Sequence, residues 1–348
     1  MSLKAEFFCR FYKDVQIKAI AGRAGQPERY ADTVVVEREL ETAKKVYEES
    51  NNLVEGVFNA ASSDGTLKLN DAAVATSGIV DSVMRNPDAF MLLLRLREKA
   101  NYSYMHAINC CALAATFCRH LGYGKSEILE VSLGALLLDI GITRLPDSLI
   151  NNRGKLNSAL MKLVRHHVQF GMEILDVTPN IPKAVKDMVL THHERVNGEG
   201  YPAALKGDEI PVCGRIAAIV DCYDAMISNR PYRRGMSPTS AIRTLYAWRE
   251  IDFHEDLVEQ FIQCIGAYPT GSMVELNSGQ VGIVLSQNRV RRLYPKILLV
   301  LNADKERYQH PATMDMWEYA QQSKNGTLEI TRVVDADEFG IDPADFYL

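Results

Sequence analysis

From about Thr33 to about Tyr268 the chain contains no convincing stretch of strict apolar–polar alternation. Half-buried strands need that alternation, so so long a segment without it predicts packed helices. Val36, Leu40, Ala43, Val46 and Tyr47 recur three and four apart and mark one helical face. A second helix is predicted over 70–84, with Asn70 as its cap and Ala73, Ser77, Ile79 and Val83 on its inward side. Pro87-Asp88 opens a third, and 101–121 and 127–140 follow, the latter stopping at Gly141. Asn157 caps a helix to about 175. Pro182, Pro211, Pro238 and His254 begin the next four. The texture then changes at Pro269-Thr270-Gly271. Residues 273–276, 280–285 and 296–301 look like strands, with Asn277-Ser278-Gly279 as the first turn. The fold class predicted is mainly α: an N-terminal helical region (1–87), a helical bundle (88–268) and a small β-rich module (269–348).

Composition narrows the function classes. With 348 residues, 47% hydrophobic and 24% charged, the chain has the makeup of a globular protein with a sizeable core. A net charge of −5 argues against a binder of nucleic-acid polymers or anionic membranes, although local positive charge would suffice for a small anionic ligand. No run approaches the ~18 apolar residues of a membrane span, and the charged first thirty residues lack the apolar core of a signal peptide. The seven cysteines form no CxxC pair, which argues against a thiolate zinc module. Together these features predict a cytoplasmic protein with reduced cysteines.

Chemistry concentrates in a few places. Two adjacent histidines, His192 and His193, sit at a predicted helix end, followed by a turn containing Gly198, Gly200, Tyr201 and Pro202. Neighbouring helix positions differ by about 100° in direction, but at a helix end two imidazoles can reach one ion from two sides of a cleft. Asp221 and Asp139 each end an apolar run, where a carboxylate is costly unless paired, hydrogen-bonded or metal-bound. His106 and the His166-His167 pair lie on other helices. Each has a plainer reading as well: Asp139 as a turn cap, Asp221 as a hydrogen-bond acceptor, His106 as an ordinary half-exposed ring, His166-His167 as solvated surface.

Taken in order, these motifs resemble the HD-GYP family, a branch of the HD superfamily of metal-dependent phosphohydrolases, over roughly 88–268. Its members are mainly bacterial cyclic di-GMP phosphodiesterases built as helical bundles around two, sometimes three, metals, often iron or manganese. The signature stands here as His192, His193, Gly198, Gly200, Tyr201 and Pro202, and the later stretch as Asp221, Asp224, Arg230, Pro231, Tyr232 and Arg233. The resemblance implies one metal on His167, His192, His193 and a bridging Asp139, and a second on His106, Asp139 and Asp221. It implies catalytic roles for Asp139 and Asp221, and substrate contacts from Tyr201, Arg230 and Arg233. The family's motif histidine is absent: Leu138 holds its position. Ile142 replaces the phosphate-facing lysine, and Tyr102 replaces a glutamate associated with a third metal. Asn197 replaces an aspartate in the turn.

Phosphodiester hydrolysis needs an activated water and neutralisation of charge growing on phosphorus, which two metals supply together. Losing one imidazole weakens the second metal, and losing the lysine removes charge stabilisation. The implied function is therefore a cyclic di-GMP phosphodiesterase or signalling domain with weak or lost hydrolysis. A catalytically inactive module binding cyclic di-GMP or a protein, and a phosphohydrolase for another nucleotide, are the alternatives. Arg144 could stand in for the lysine or be solvated. The Gly-Tyr-Pro loop could contact diguanylate cyclase domains, the N-terminal helices could pack on the bundle or form a homodimer, and Arg289, Arg291 and Arg292 read as a charged sheet edge or a partner contact.

Overall fold

A computed structural model describes residues 27–96, 102–150, 157–229, 234–322, 328–335, 338–341 and 343–346. Its helical part comprises α1 (Val36–Ser63), α2 (Leu69–Arg85), α3 (Pro87–Leu96), α4 (Tyr102–His120) and α5 (Lys125–Leu136). A 3-10 turn (Ile140–Arg144) and the short α6 (Asp147–Ile150) follow, then α7 (Ser158–Arg165), α8 (His167–Asp176), α9 (Lys183–Thr191), α10 (Val212–Ile227), α11 (Pro238–Trp248) and α12 (Glu255–Ile265). The strands are β1 (Met273–Leu276), β2 (Val281–Ser286), β3 (Lys296–Leu301), β4 (Arg307–Asp315) and β5 (Ile330–Val334), with α13 (Met316–Gln322) after β4.

Helix α4 is the axis of the bundle. From Ala107 to Cys118 almost every side chain is buried, many of them Ala or Cys. A helix apolar on all sides belongs inside, and small side chains let neighbours come close. It packs against α2, α5, α10 and α12. Helix α1 runs along α2, and a buried Glu39 carboxylate ties the two by accepting from Ser82 and Arg85 at 2.8 Å each.

The sheet is antiparallel in the order β4-β3-β2-β1-β5. Met273, Val281, Ile283 and Leu285 on one side join the helical core, while Val274, Leu276, Val284, Ile297 and Leu299 pack with Met316 of α13. One core therefore runs through positions 87 and 268. The buried Asp88 fastens α3 to the sheet, accepting from Thr270 Oγ1 at 3.0 Å, Gln287 N at 3.0 Å and Arg289 Nη2 at 2.7 Å.

Several expectations need correction. Helix α2 starts one residue before Asn70 and has no side-chain cap. Its buried face contains Ala72, Ala75 and Thr76, leaving Ala73 exposed, because packing against α1 chose a neighbouring stripe. The helix predicted over 127–140 ends at Leu136, and the one predicted from Asn157 to about 175 breaks at His166. Strands β4 and β5 and helix α13 had no sequence forecast. Both strands are sheet edges and β4 is mostly exposed with Pro311 inside it, so neither shows clean alternation. Arg289 is no solvated edge charge, since it pairs with Asp88. Arg292 is buried, and Arg291 lies over the Trp317 ring at 4.9 Å. Among the described residues no helix is long and apolar enough to cross a membrane.

Candidate metal centre

Four donors meet where α8, the end of α9 and the turn after α5 converge: Asp139, His167, His192 and His193 each offer an atom within 4.8 Å of the others. The backbone explains how they come together. A Cβ on Gly141 would stand 1.9 Å from the His167 carbonyl oxygen and 2.3 Å from Gly171 N, so only glycine lets the turn bearing Asp139 press against α8. Asp139 precedes that turn without capping it. Its carboxylate instead faces the histidines, with Oδ1 at 3.3 Å from His167 Nε2 and 3.8 Å from His192 Nε2.

The hydrogen bonds settle the tautomers. His167 Nδ1 lies 2.7 Å from the Val164 carbonyl and His192 Nδ1 lies 2.9 Å from that of Val189, so both Nδ1 atoms donate. In the neutral rings both Nε2 atoms are then bare acceptors, and they face each other at 3.4 Å. Two lone pairs repel at that separation unless a cation stands between them. Two nitrogens about 2.1 Å from one tetrahedral ion are roughly 3.4 Å apart. Burial lowers the pKa of His192, helped by the neighbouring His167, and lowers that of His193 well below the usual value, helped by His192. The pair is neutral and able to donate lone pairs. This donor set fits a divalent ion.

The second oxygen of Asp139 points elsewhere. Its Oδ2 is 3.7 Å from His106 Nε2, and His106 Nε2 is 3.1 Å from Asp221 Oδ1. Asp221 is buried, which pushes its pKa up, but the His106 hydrogen bond and the nearby His193 outweigh this and hold it below the carboxylate range. His106 is oriented from behind by Asp224, whose Oδ2 lies 2.7 Å from Nδ1. Asn109 and Ser228 donate to Asp224 in turn. Carboxylate backing of this kind fixes a ligand ring and raises its basicity. Cys110 lies near His106, but burial pushes its thiol pKa up to about 12, which keeps it protonated.

The remaining candidates are placed as follows. Leu138 is buried in the hydrophobic core and Ile142 is half-buried. Arg144 pairs with Glu173 at 2.7 Å, so it is committed to α8. His166 is exposed and bonded to the Lys162 carbonyl. Tyr201 stacks on His193 with ring centroids 4.6 Å apart and covers that edge of the centre. Its loop is tied down by Glu194, which accepts from Ala203 N at 2.7 Å and Leu205 N at 3.1 Å. Gly200 packs against the Glu194 and Arg195 backbone with no room for a Cβ, Gly198 takes a φ of +81°, and the Tyr201-Pro202 bond is cis. Arg230 and Arg233 lie outside the described residues, as does the Tyr102 side chain. Sequence reasoning gave no role to Arg165, whose guanidinium sits 4.8 Å from the Tyr201 ring centre, nor to Asp224 as the support of His106. An aspartate one turn from a candidate ligand was the available signal for the latter.

The helical part thus gathers three histidines and an aspartate at one place, a donor set able to hold a metal ion. Residues 90–253 match the HD domain family, and within this stretch the chain carries Leu138-Asp139 and the His192–Pro202 segment described above. The family implies a divalent metal, and the donor set described above suits one.

The chain is 34% identical over 270 residues to a cyclic di-GMP phosphodiesterase of Pseudomonas aeruginosa, covering 78% of this chain and 65% of that protein. It is 32% identical over 170 residues to a 3'3'-cGAMP-specific phosphodiesterase of Vibrio cholerae, covering 49% and 32%. It is 33% identical over 168 residues to a cyclic di-GMP phosphodiesterase response regulator of Xanthomonas campestris, covering 46% and 44%. The chain thus spans under two thirds of each relative's length. An HDG"Y"P protein from Bdellovibrio bacteriovorus shares the fold, with TM-score 0.53 and 17% identity over 74% of this chain and 76% of that one.

Proposed function

We propose that the chain is an HD-GYP-type domain that binds cyclic di-GMP at a divalent metal centre and hydrolyses it slowly. The observation that carries this reading is the division of Asp139: Oδ1 faces His167 and His192, and Oδ2 faces His106. A carboxylate so placed can bridge two ions. His193 would complete the set around Oδ1, and Asp221 would join His106 around Oδ2. Nitrogen-rich donors with carboxylate favour iron or manganese over magnesium or calcium.

Bound metal would supply an activated water and neutralise charge on the phosphoryl oxygens. The chain's own residues do the rest. His167 and His192 hold their lone pairs inward through Nδ1–carbonyl bonds. Asp224 keeps the His106 ring aimed at Asp139 and Asp221. A guanine base is proposed to stack on Tyr201 in place of the Arg165 guanidinium, on the ring face away from His193, and Arg230 and Arg233 are proposed as phosphate contacts. With Leu138 in place of an imidazole, the Oδ2 side keeps one nitrogen and two carboxylates, which is why turnover is proposed to be slow. A protein contact with diguanylate cyclase domains through the Gly-Tyr-Pro loop belongs to the same proposal.

The test is metal analysis of the purified chain followed by incubation with cyclic di-GMP and manganese or ferrous iron. Slow formation of linear pGpG, abolished by a chelator, is expected. Many rapid turnovers per site would overturn the assignment of Leu138 as a damaging departure. Bound metal with no product would favour a binding module, and preference for 3'3'-cGAMP in competition would move the substrate within the cyclic dinucleotides. Tyr201→Ala is expected to weaken cyclic di-GMP more than mononucleotides.

A further inference from the structure

A second cavity lies on the far side of Asp224 from the metal centre. It encloses about 1040 Å³ of empty space, part of it open to solvent, between α3, α4, α10, the end of α12 and the linker into the sheet. Its walls mix apolar side chains, Met91, Leu94, Met105, Leu113, Ile227 and Ile265 among them, with polar ones.

Two polar groups in this lining have no partner of their own. The half-buried Arg95 has its Nε sealed from water and unbonded, although its stem is held in place: a Cβ on Gly271, where φ is +82°, would stand 2.8 Å from Arg95 Cβ. Burial raises the pKa of the Tyr223 hydroxyl, which also lines the cavity, and the Arg95 charge opposes that rise. Thr116 is buried at 6% exposure, and its Oγ1 is also unbonded. The other cation in the lining, Arg289, is held on Asp88 at 2.7 Å. Asp224 is engaged by His106, Asn109 and Ser228. Both carboxylates in the wall are therefore committed, and among the described residues neither pairs with Arg95. Sealing a guanidinium N–H and a hydroxyl from water without partners costs free energy that a ligand would recover.

We infer that this cavity is a ligand site for a small amphipathic carboxylate, whose anionic end meets Arg95 and the Thr116 hydroxyl while its hydrocarbon body lies along the methionine and leucine walls. A planar carboxylate matches the guanidinium fork, and the apolar lining rejects a bare inorganic anion. The site shares Asp224, Asn109 and Ser228 with the support of His106 but none of the proposed metal ligands, so its occupancy does not depend on the proposed phosphodiesterase reading.

Calorimetric titration of the full, metal-loaded chain with octanoate, 1-octanol and inorganic phosphate tests the inference. Octanoate is expected to bind saturably and more tightly than either of the others. Arg95→Met, which keeps the stem, is expected to weaken octanoate about tenfold, the loss of one charge-assisted contact, and to leave 1-octanol unchanged. Thr116→Val, of similar shape, is expected to weaken octanoate less and serves if Arg95→Met does not fold. The inference is overturned if octanoate gives no saturable binding, if phosphate or 1-octanol binds as tightly, or if both variants bind octanoate like the parent. Octanoate binding lost in His167→Ala but retained in Arg95→Met would place the ligand on the metal and overturn it equally.

Discussion

The two oxygens of Asp139 face unequal donor sets. Near Oδ1 stand His167 and His192, both buried with rings locked by Nδ1–carbonyl bonds, and His193 joins the same group. Near Oδ2 stands His106, which faces Asp221 and is braced by Asp224, while Asp221 also lies 4.0 Å from His193 Nδ1. The same carboxylate thus touches one set rich in neutral nitrogen and another dominated by charge. Imidazole lone pairs sealed from water gain most from a transition-metal ion. A site of two carboxylates and one imidazole binds more weakly and admits harder ions. On the proposed assignment, the donor missing at Leu138 would belong to the Oδ2 side and leave the Oδ1 set whole.

The largest predicted effect strikes the richer side. His167→Ala should reduce tight metal binding by more than about 100-fold, exceeding the range seen when only an outer partner is lost, as read by metal analysis after dialysis. Retention of the full metal content would dissolve the distinction between the two sides. Asp224→Asn acts on the poorer side alone. It should cost about 10–100-fold in metal affinity there, seen as loss of the weaker phase in a manganese titration, with the tighter phase intact. Equal loss from both phases would show that the sites are not separable.

Restoring the missing groups should act in the opposite direction. Leu138→His with Ile142→Lys is expected to strengthen the weaker phase about tenfold, the value of one good ligand in a compromised set, and to raise hydrolysis of cyclic di-GMP. If neither changes, position 138 does not reach the centre. The smallest effect concerns the frame. Gly141→Ala forces a methyl group into the His167 carbonyl and should destabilise the fold by roughly 1–3 kcal/mol, as overpacking does, measured by urea unfolding. It should also weaken both metal phases together, since it moves Asp139 itself.

Much of this protein is legible locally. Helix boundaries at Asn157, Pro182, Pro211 and Pro238 follow from cap chemistry and proline geometry, which act within a few residues. The mainly helical class, the change of texture after Gly271 and the Leu138-Asp139 departure are likewise properties of short stretches of chain. Edge strands β4 and β5 escaped because exposure removes the alternation that would reveal them, and the buried stripe of α2 was set by its partner α1.

The centre depended on distance in space. His106 and Asp224 are 118 positions apart and meet at 2.7 Å. Which oxygen of Asp139 faces which histidine depends on how closely Gly141 approaches α8. The sequence by itself determined which donors exist and which one is absent, because residue identity is local. Only the tertiary structure decided how those donors lie about one carboxylate, and that a second cavity lined by an arginine with an unbonded Nε lies behind Asp224, because convergence of separate helices is a property of packing.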